Sequence, residues 1–188
     1  MRREIRITGL GGQGAITAGH ILGRAASIYD RREAVMTEGY SPYITGGWSR
    51  ADLIISDEPV DFPLVSSLDV LVAMYQEGLE TNLKMLKQDG IGLSESRFAR
   101  TFAVNQREKR KVLAIPAAAA AEQLGKKMLT NVLMLGALEA IAPVVNFDSL
   151  KKALVDRFPK AAELNLKAID NGYDLGLKAA TEMKIIIG

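Results

Sequence analysis

A single α/β domain is what this sequence predicts, and three observations carry the prediction. A short apolar strand, Ile5-Arg6-Ile7-Thr8, runs into the glycine turn Gly9-Leu10-Gly11-Gly12-Gln13-Gly14 and then into a helix over Ala15 to Ser27. A second apolar run, Asp69 to Tyr75, has the near-continuous hydrophobicity of a parallel strand covered on both faces. From Ala117 onward the chain reads mainly as helix. Strand, glycine turn and helix in that order open a Rossmann-like unit.

The 188 residues suit one compact domain with a real core. Hydrophobic residues make up 48% and charged residues 24%, an ordinary balance for a soluble globular chain. With 24 basic and 22 acidic side chains, the charge is too even to argue for nucleic acid or an anionic membrane as partner. There is no cysteine, which excludes disulfides, cysteine-ligated iron–sulfur clusters and cysteine-based zinc sites from this chain. Met1-Arg2-Arg3-Glu4 leads straight into a strand, with no apolar stretch of signal-peptide length. No segment is apolar for long enough to span a bilayer. The expectation is a cytoplasmic protein.

After the first helix, Glu33 to Glu38 reads as a second strand. Gly39 to Gly47 interrupts it with three glycines, a proline and two tyrosines, the composition of an irregular loop. Trp48 to Ser56 returns to strand character with one face buried. Glu77 to Leu86 follows the central strand as an amphipathic helix that Asp89-Gly90 stops, and Ile91-Gly92-Leu93 is a brief strand. Arg97 to Lys111 is polar, and its Arg107-to-Lys111 run reads as a solvated turn. Val112 to Ile115 is the last strand. Helices are expected over Ala117 to Leu124, over Thr130 to Ile141, from an Asp148 cap through Phe158, and over Ala161 to Ala180. The second of these is apolar almost all round, so it should be buried or face another subunit. Gly172 and Gly176 lie four apart on the last helix, a spacing that lets another helix come close. The apolar tail, Met183 to Gly188, is expected to pack back or to contact a partner.

Gly9, Gly11 and Gly14 match G-x-G-x-x-G, and the spacing reads equally as a phosphate cradle and as a close-packed structural turn. The unpaired N–H groups of the following helix suit an anion or a partner's acceptor. Gln13 places a carboxamide at the mouth of the turn. A dinucleotide site wants an acid at the end of the second strand, and Glu38 stands about there. The glycine-rich insert that follows it is not the usual continuation into a helix. His20, the only histidine, reads as a surface or packing residue, and it has no second histidine for a metal site. No P-loop lysine, G-x-S-x-G elbow or carboxylate pair is present. The loop Gly39 to Gly47 should emerge at the same sheet edge as the glycine turn, as a cover for a ligand or as an interface loop.

A wider set of residues carries a resemblance. GLGGQG, the Gly46-Gly47 loop end before Trp48-Ser49-Arg50-Ala51-Asp52-Leu53-Ile54-Ile55-Ser56, Asn131 ahead of Leu135-Gly136-Ala137, and Asn165-Leu166-Lys167-Ala168-Ile169 with Gly172-Tyr173 together resemble the gamma subunit (gamma domain) of the 2-oxoacid:ferredoxin oxidoreductases. The likeness runs essentially end to end. It implies a three-layer α/β/α Rossmann-like domain in a complex that oxidatively decarboxylates a 2-oxo acid, such as pyruvate or 2-oxoglutarate, to an acyl-CoA. It also implies alpha and beta subunits that hold thiamine diphosphate and Mg, a ferredoxin-like subunit, iron–sulfur clusters outside this chain, and ferredoxin as acceptor. This chain would then supply assembly contacts and a coenzyme A-side surface, with no catalytic residue of its own. The sequence has no G-D-G motif with a downstream asparagine for a thiamine-bound metal, which agrees with that division. Where the family loop commonly reads Gly-Pro-Glu-x-Arg-Gly-Gly, this chain has Ser41-Pro42-Tyr43-Ile44-Thr45-Gly46-Gly47. Tyr43 and Thr45 replace the ion pair, which removes a bidentate anion contact.

The cofactor-side residues expected on this reading are Gly9, Gly11, Gly12, Gln13 and Gly14 in the turn, Tyr43, Thr45, Gly46 and Gly47 in the loop, and Asn131. The competing readings are a stand-alone dinucleotide-binding oxidoreductase using the turn and Glu38, and a scaffold subunit whose turn touches only protein.

Overall fold

The computed structural model describes residues 1–42, 46–100 and 110–183. Tyr43, Thr45, most of the basic run before Lys111 and the tail beyond Met183 lie outside the described residues. Six strands form one sheet: β1 (Arg2–Leu10), β2 (Glu33–Tyr40), β3 (Trp48–Ser56), β4 (Leu68–Ala73), β5 (Leu86–Glu95) and β6 (Lys111–Ile115). Their order is β2-β3-β1-β4-β5-β6. β1, β4, β5 and β6 run parallel, and β3 is antiparallel to both of its neighbours. Among the described residues the α-helices are α1 (Ala15–Arg24), α2 (Gln76–Asn82), α3 (Ala117–Gln123), α4 (Thr130–Ile141), α5 (Phe147–Arg157) and α6 (Ala162–Glu182).

Side-chain alternation along β1 divides the layers. Ile5 and Ile7 enter the larger core, with Leu53, Val70, Val72 and Leu113, beneath α1, α3, α4, α5 and α6. The opposite face carries α2 and a smaller cluster that includes Leu71, Ala73, Leu79 and Val112. The result is a three-layer α/β/α domain with unequal outer layers. On the thinner side β1 turns in Glu4, Arg6 and Thr8, all buried. A buried guanidinium must be paired. Arg6 Nε and Nη2 each meet an Asp52 carboxylate oxygen at 2.6 Å, and Nη1 donates to Asn82 Oδ1 at 2.7 Å. Arg6 and Asp52 are direct cross-strand partners, so a one-residue slip of β3 would turn Asp52 into the larger core.

Trp48 to Ser56 and Thr130 to Ile141 form the elements their patterns predict. Helix α4 is buried along its length within this domain. Gly136 and Gly172 let α4 and α6 meet backbone to backbone. A Cβ on Gly136 would sit 2.1 Å from Ile169 O, and one on Gly172 2.1 Å from Leu133 O.

Four expectations need correction. The helix starting at Gln76 ends at Asn82, with one tighter turn over Leu83–Met85, and Leu86 already belongs to β5. Asp89-Gly90 therefore lies inside a strand rather than stopping a helix. Pairing steps from Leu68↔Leu86 to Val70↔Ile91, so a bulge absorbs the extra residues. The cap of α5 is Asn146, whose side chain accepts from Asp148 N at 2.9 Å; Asp148 sits in the first turn. Helix α1 gives way to a wider π turn over Ala25–Tyr29. Gly39 and Tyr40 extend β2, which pairs with β3 as a hairpin.

One buried acid stands apart from the core. Glu139, near the end of α4, accepts from Val144 N at 3.0 Å and Val145 N at 3.3 Å through Oε2, while Oε1 has no partner among the described residues. Burial pushes its carboxyl up to about 8.

Candidate functional site

The glycine turn follows β1, and the 41–47 segment joins β2 to β3. Because β1 and β3 are antiparallel neighbours, the end of one and the start of the other coincide: Leu10 pairs with Trp48. The two loops are tied by Gly11 N donating to Gly47 O at 2.8 Å. For the described residues of the 41–47 segment, the expected juxtaposition with the glycine turn at one sheet edge is observed.

Gln13 staples the turn. Its Oε1 accepts from Leu10 N at 2.6 Å, and its Nε2 donates to Met74 O at 3.0 Å, at the end of β4. The carboxamide expected to greet a ligand is engaged by the fold's own backbone. Gly9 is buried at the strand end and does not line the cleft above the turn. Gly14 takes φ +77°, the left-handed conformation that starts α1, and its carbonyl accepts from Ala18 N at 2.9 Å and from Asn131 Nδ2 at 3.1 Å. A Cβ on Gly14 would press to 2.5 Å from that same Nδ2. Asn131 Oδ1 in turn accepts from Val132 N at 3.0 Å, so the start of α4 clamps the start of α1. Gly12 takes φ +86° and would have nothing within 4 Å of a Cβ. The turn is tight below and open above.

The open side is a cleft of about 730 Å³. Gly11, Gly12, Gly14 and the first turn of α1 form one wall, and Ser41, Gly46, Gly47 and Trp48 form a second. Asn131 and Asn165 lie in the lining, each only 5% exposed. Lys126 and Arg157 are its charged groups, and no carboxylate lines it among the described residues. Arg157 stacks over the Phe158 ring at 5.2 Å. Helix α1 has no side-chain cap and no acid in its first turn, so its positive end meets the cleft uncompensated. Two cations and a helix start are the groups that suit an anion. No histidine or carboxylate lines the cleft among the described residues; Lys126, Arg157, Asn131 and Asn165 are groups that can bind and orient an anionic ligand.

The dinucleotide expectation loses its acid. β3 intervenes between β1 and β2, so Glu38 stands two strands from the glycine turn and does not line the cleft. It is instead held by the Tyr40 hydroxyl and by His20 Nε2, the latter at 2.9 Å. The bond to Glu38 holds the Tyr40 hydroxyl above its usual range. His20 is an exposed residue of α1.

The structure brings together Gly11, Gly12, Gly14, Gly46, Gly47 and Asn131. Sequence reasoning missed Lys126, Arg157 and the place of Asn165. The two cations lie at the ends of helices remote in sequence, and nothing local signals their convergence. Asn165 is visible beforehand only as part of the Asn-Leu-Lys-Ala-Ile motif. Among the described residues, no group of three or more His, Cys, Asp or Glu side chains suits a metal ion, and no helix is long and apolar enough to cross a membrane.

The chain is similar to known proteins over most of its length. A family model described as pyruvate ferredoxin/flavodoxin oxidoreductase matches residues 4–175. The 2-oxoglutarate synthase subunit KorC of Methanocaldococcus jannaschii is 39% identical over 176 residues, covering 93% of this chain and 94% of the relative. The pyruvate synthase subunit PorC of Methanothermobacter marburgensis is 33% identical, covering 91% and 96% respectively. The crystal structure of a keto/oxoacid ferredoxin oxidoreductase gamma subunit from Geobacter sulfurreducens superposes with a TM-score of 0.80 at 34% identity, over 95% of this chain and 98% of that one.

Proposed function

The chain belongs to the pyruvate ferredoxin/flavodoxin oxidoreductase family, and we propose that it is the gamma-type subunit of a cytoplasmic 2-oxoacid:ferredoxin oxidoreductase, whose share of the work is to hold coenzyme A at the assembled active site. Oxidative decarboxylation of the 2-oxo acid falls to alpha and beta partners carrying thiamine diphosphate and Mg, and electron transfer to a ferredoxin-like subunit and then ferredoxin. Cysteine-held iron–sulfur clusters do not fit this chain, which has no cysteine. A polyphosphate does fit it.

The observation that carries the reading is the convergence of Lys126, Arg157 and the uncapped start of α1 on one cleft that no carboxylate lines among the described residues. Coenzyme A, when bound, supplies the thiol that takes up the acyl group. Lys126 and Arg157 hold its phosphates, Gly12 leaves room for them, and Asn131 fixes the Gly14 carbonyl so that the N–H groups of Ala15, Ile16 and Thr17 stay directed at the anion. The similarity to KorC makes 2-oxoglutarate the first substrate to try.

The test is a reconstitution. The chain alone should show no 2-oxo acid oxidation, and it should co-purify with its partner subunits and complete a coenzyme A-dependent reduction of ferredoxin. In that complex, Lys126→Ala with Arg157→Ala should raise the KM for coenzyme A at least ~tenfold, with kcat little changed, because charged hydrogen bonds of ~1.5–3 kcal/mol each are lost. An unchanged KM overturns the cleft assignment. Partner subunits that do not associate overturn the subunit role.

A further inference from the structure

We infer that Asn165 makes this cleft selective for a nucleoside-bearing polyphosphate over bare phosphate, by accepting a hydrogen bond from the nucleoside. The inference rests on the reading of the cleft as a polyphosphate site. Lys126, Arg157 and the start of α1 attract any anion and do not distinguish pyrophosphate from a nucleotide. Discrimination needs a buried polar group that only the larger ligand satisfies.

Asn165 is that group. It stands in the first turn of α6, is 5% exposed and lines the cleft. Its Nδ2 donates to Ala161 O, one turn back, at 2.8 Å, which fixes the sense of the carboxamide. Its Oδ1 accepts no hydrogen bond from any described residue. The residue lines the cleft, and that is the side from which a ligand meets it. Beside the cationic N–H donors of Lys126 and Arg157, it offers a carbonyl. A carbonyl there takes an O–H or N–H donor. On a nucleotide that donor is a ribose hydroxyl or the exocyclic amino group of adenine. A fully deprotonated phosphate offers none.

The experiment measures Kd by calorimetry for ADP, inosine diphosphate and pyrophosphate on the full chain and on Asn165→Leu. Leu keeps the volume and removes the acceptor. ADP affinity should fall about tenfold and pyrophosphate affinity less than twofold, the scale of one hydrogen bond. A loss on ADP alone assigns the amino group, and a loss on ADP and inosine diphosphate together assigns a hydroxyl. Asn165→Ser serves as the second variant, since its hydroxyl can still bond Ala161 O while withdrawing the acceptor; it should show the same selectivity loss. Equal losses for ADP and pyrophosphate, or no loss for either, overturn the role of Asn165 and leave the anion site standing. If the unsubstituted chain binds none of the three probes, the polyphosphate reading falls and this inference with it.

Discussion

Two regions of this molecule use glycine for opposite purposes. At the α4–α6 seam, Gly136 and Gly172 are there because a methyl group would strike the facing helix's backbone at 2.1 Å. At the turn above β1, Gly12 has nothing within 4 Å and is there because the backbone takes φ +86°. One region is closed by glycine and the other is kept open by it. A glycine in the sequence does not say which. Space around its missing Cβ does, and that space is set by residues far away in the chain.

The sharpest way to break this comparison is Gly136→Ala. Ile169 O and Tyr173 N, at 2.1 and 2.8 Å from the new carbon, are backbone atoms that cannot swing aside. The helices must part, at a cost of at least ~3 kcal/mol. Urea denaturation should show the midpoint falling accordingly, and a loss under 1 kcal/mol would mean the seam is not closed as described.

Next comes Glu139, at the end of the closed region. Its carboxyl is raised by burial to about 8 in the fold, against an ordinary value near 4.5 once unfolded. Between those two values the native state keeps a proton that the unfolded chain releases. Stability is therefore full below about pH 4.5, falls as pH rises toward 8 and levels off above it. The shift bounds the fall at ~5 kcal/mol, at ~1.4 kcal/mol per unit. Opening of the turn that carries Val144 and Val145 admits water first, so ~2 kcal/mol is expected. Glu139→Gln should flatten this dependence in melts between pH 5 and 9; an unchanged slope would place the titration elsewhere.

The smallest effect is expected at the open turn. Gly12→Ala meets no neighbour and suffers only the left-handed backbone, ~1 kcal/mol. The new methyl also projects into the cleft, so coenzyme A affinity should fall more than stability does. Equal stability losses at Gly12 and Gly136 would erase the distinction between the two regions.

How much of this was legible beforehand depends on whether a signal is local. Trp48 to Ser56 and Thr130 to Ile141 carry their own patterns and form as predicted. Asp89-Gly90 looks like a helix stop, yet β4 pulls the segment into the sheet and a bulge takes up the surplus. Asn146 and Asp148 are both competent caps, and only the entry angle of the chain chooses between them. Strand order is not local at all. Nothing in β3 announces that it slips between β1 and β2, and that slip is what strips Glu38 of a nucleotide role. The glycine turn, the loop end at Gly46-Gly47 and Asn131 were visible as candidates. Lys126 and Arg157 were not, because convergence of helix ends is a property of the packed layers.

The bond from Gly11 N to Gly47 O has a further use. It is the 2.8 Å tie between the glycine turn and the residue just before β3, and Gly11 is itself a solvent-facing residue. An amide so placed is slow to trade its hydrogen for deuterium only while the loops stay together. Its exchange rate is therefore a clock for the opening of the cleft, readable on a single resonance without any ligand or activity assay. Compared before and after the partner subunits assemble, it reports how often the mouth of the site is ajar.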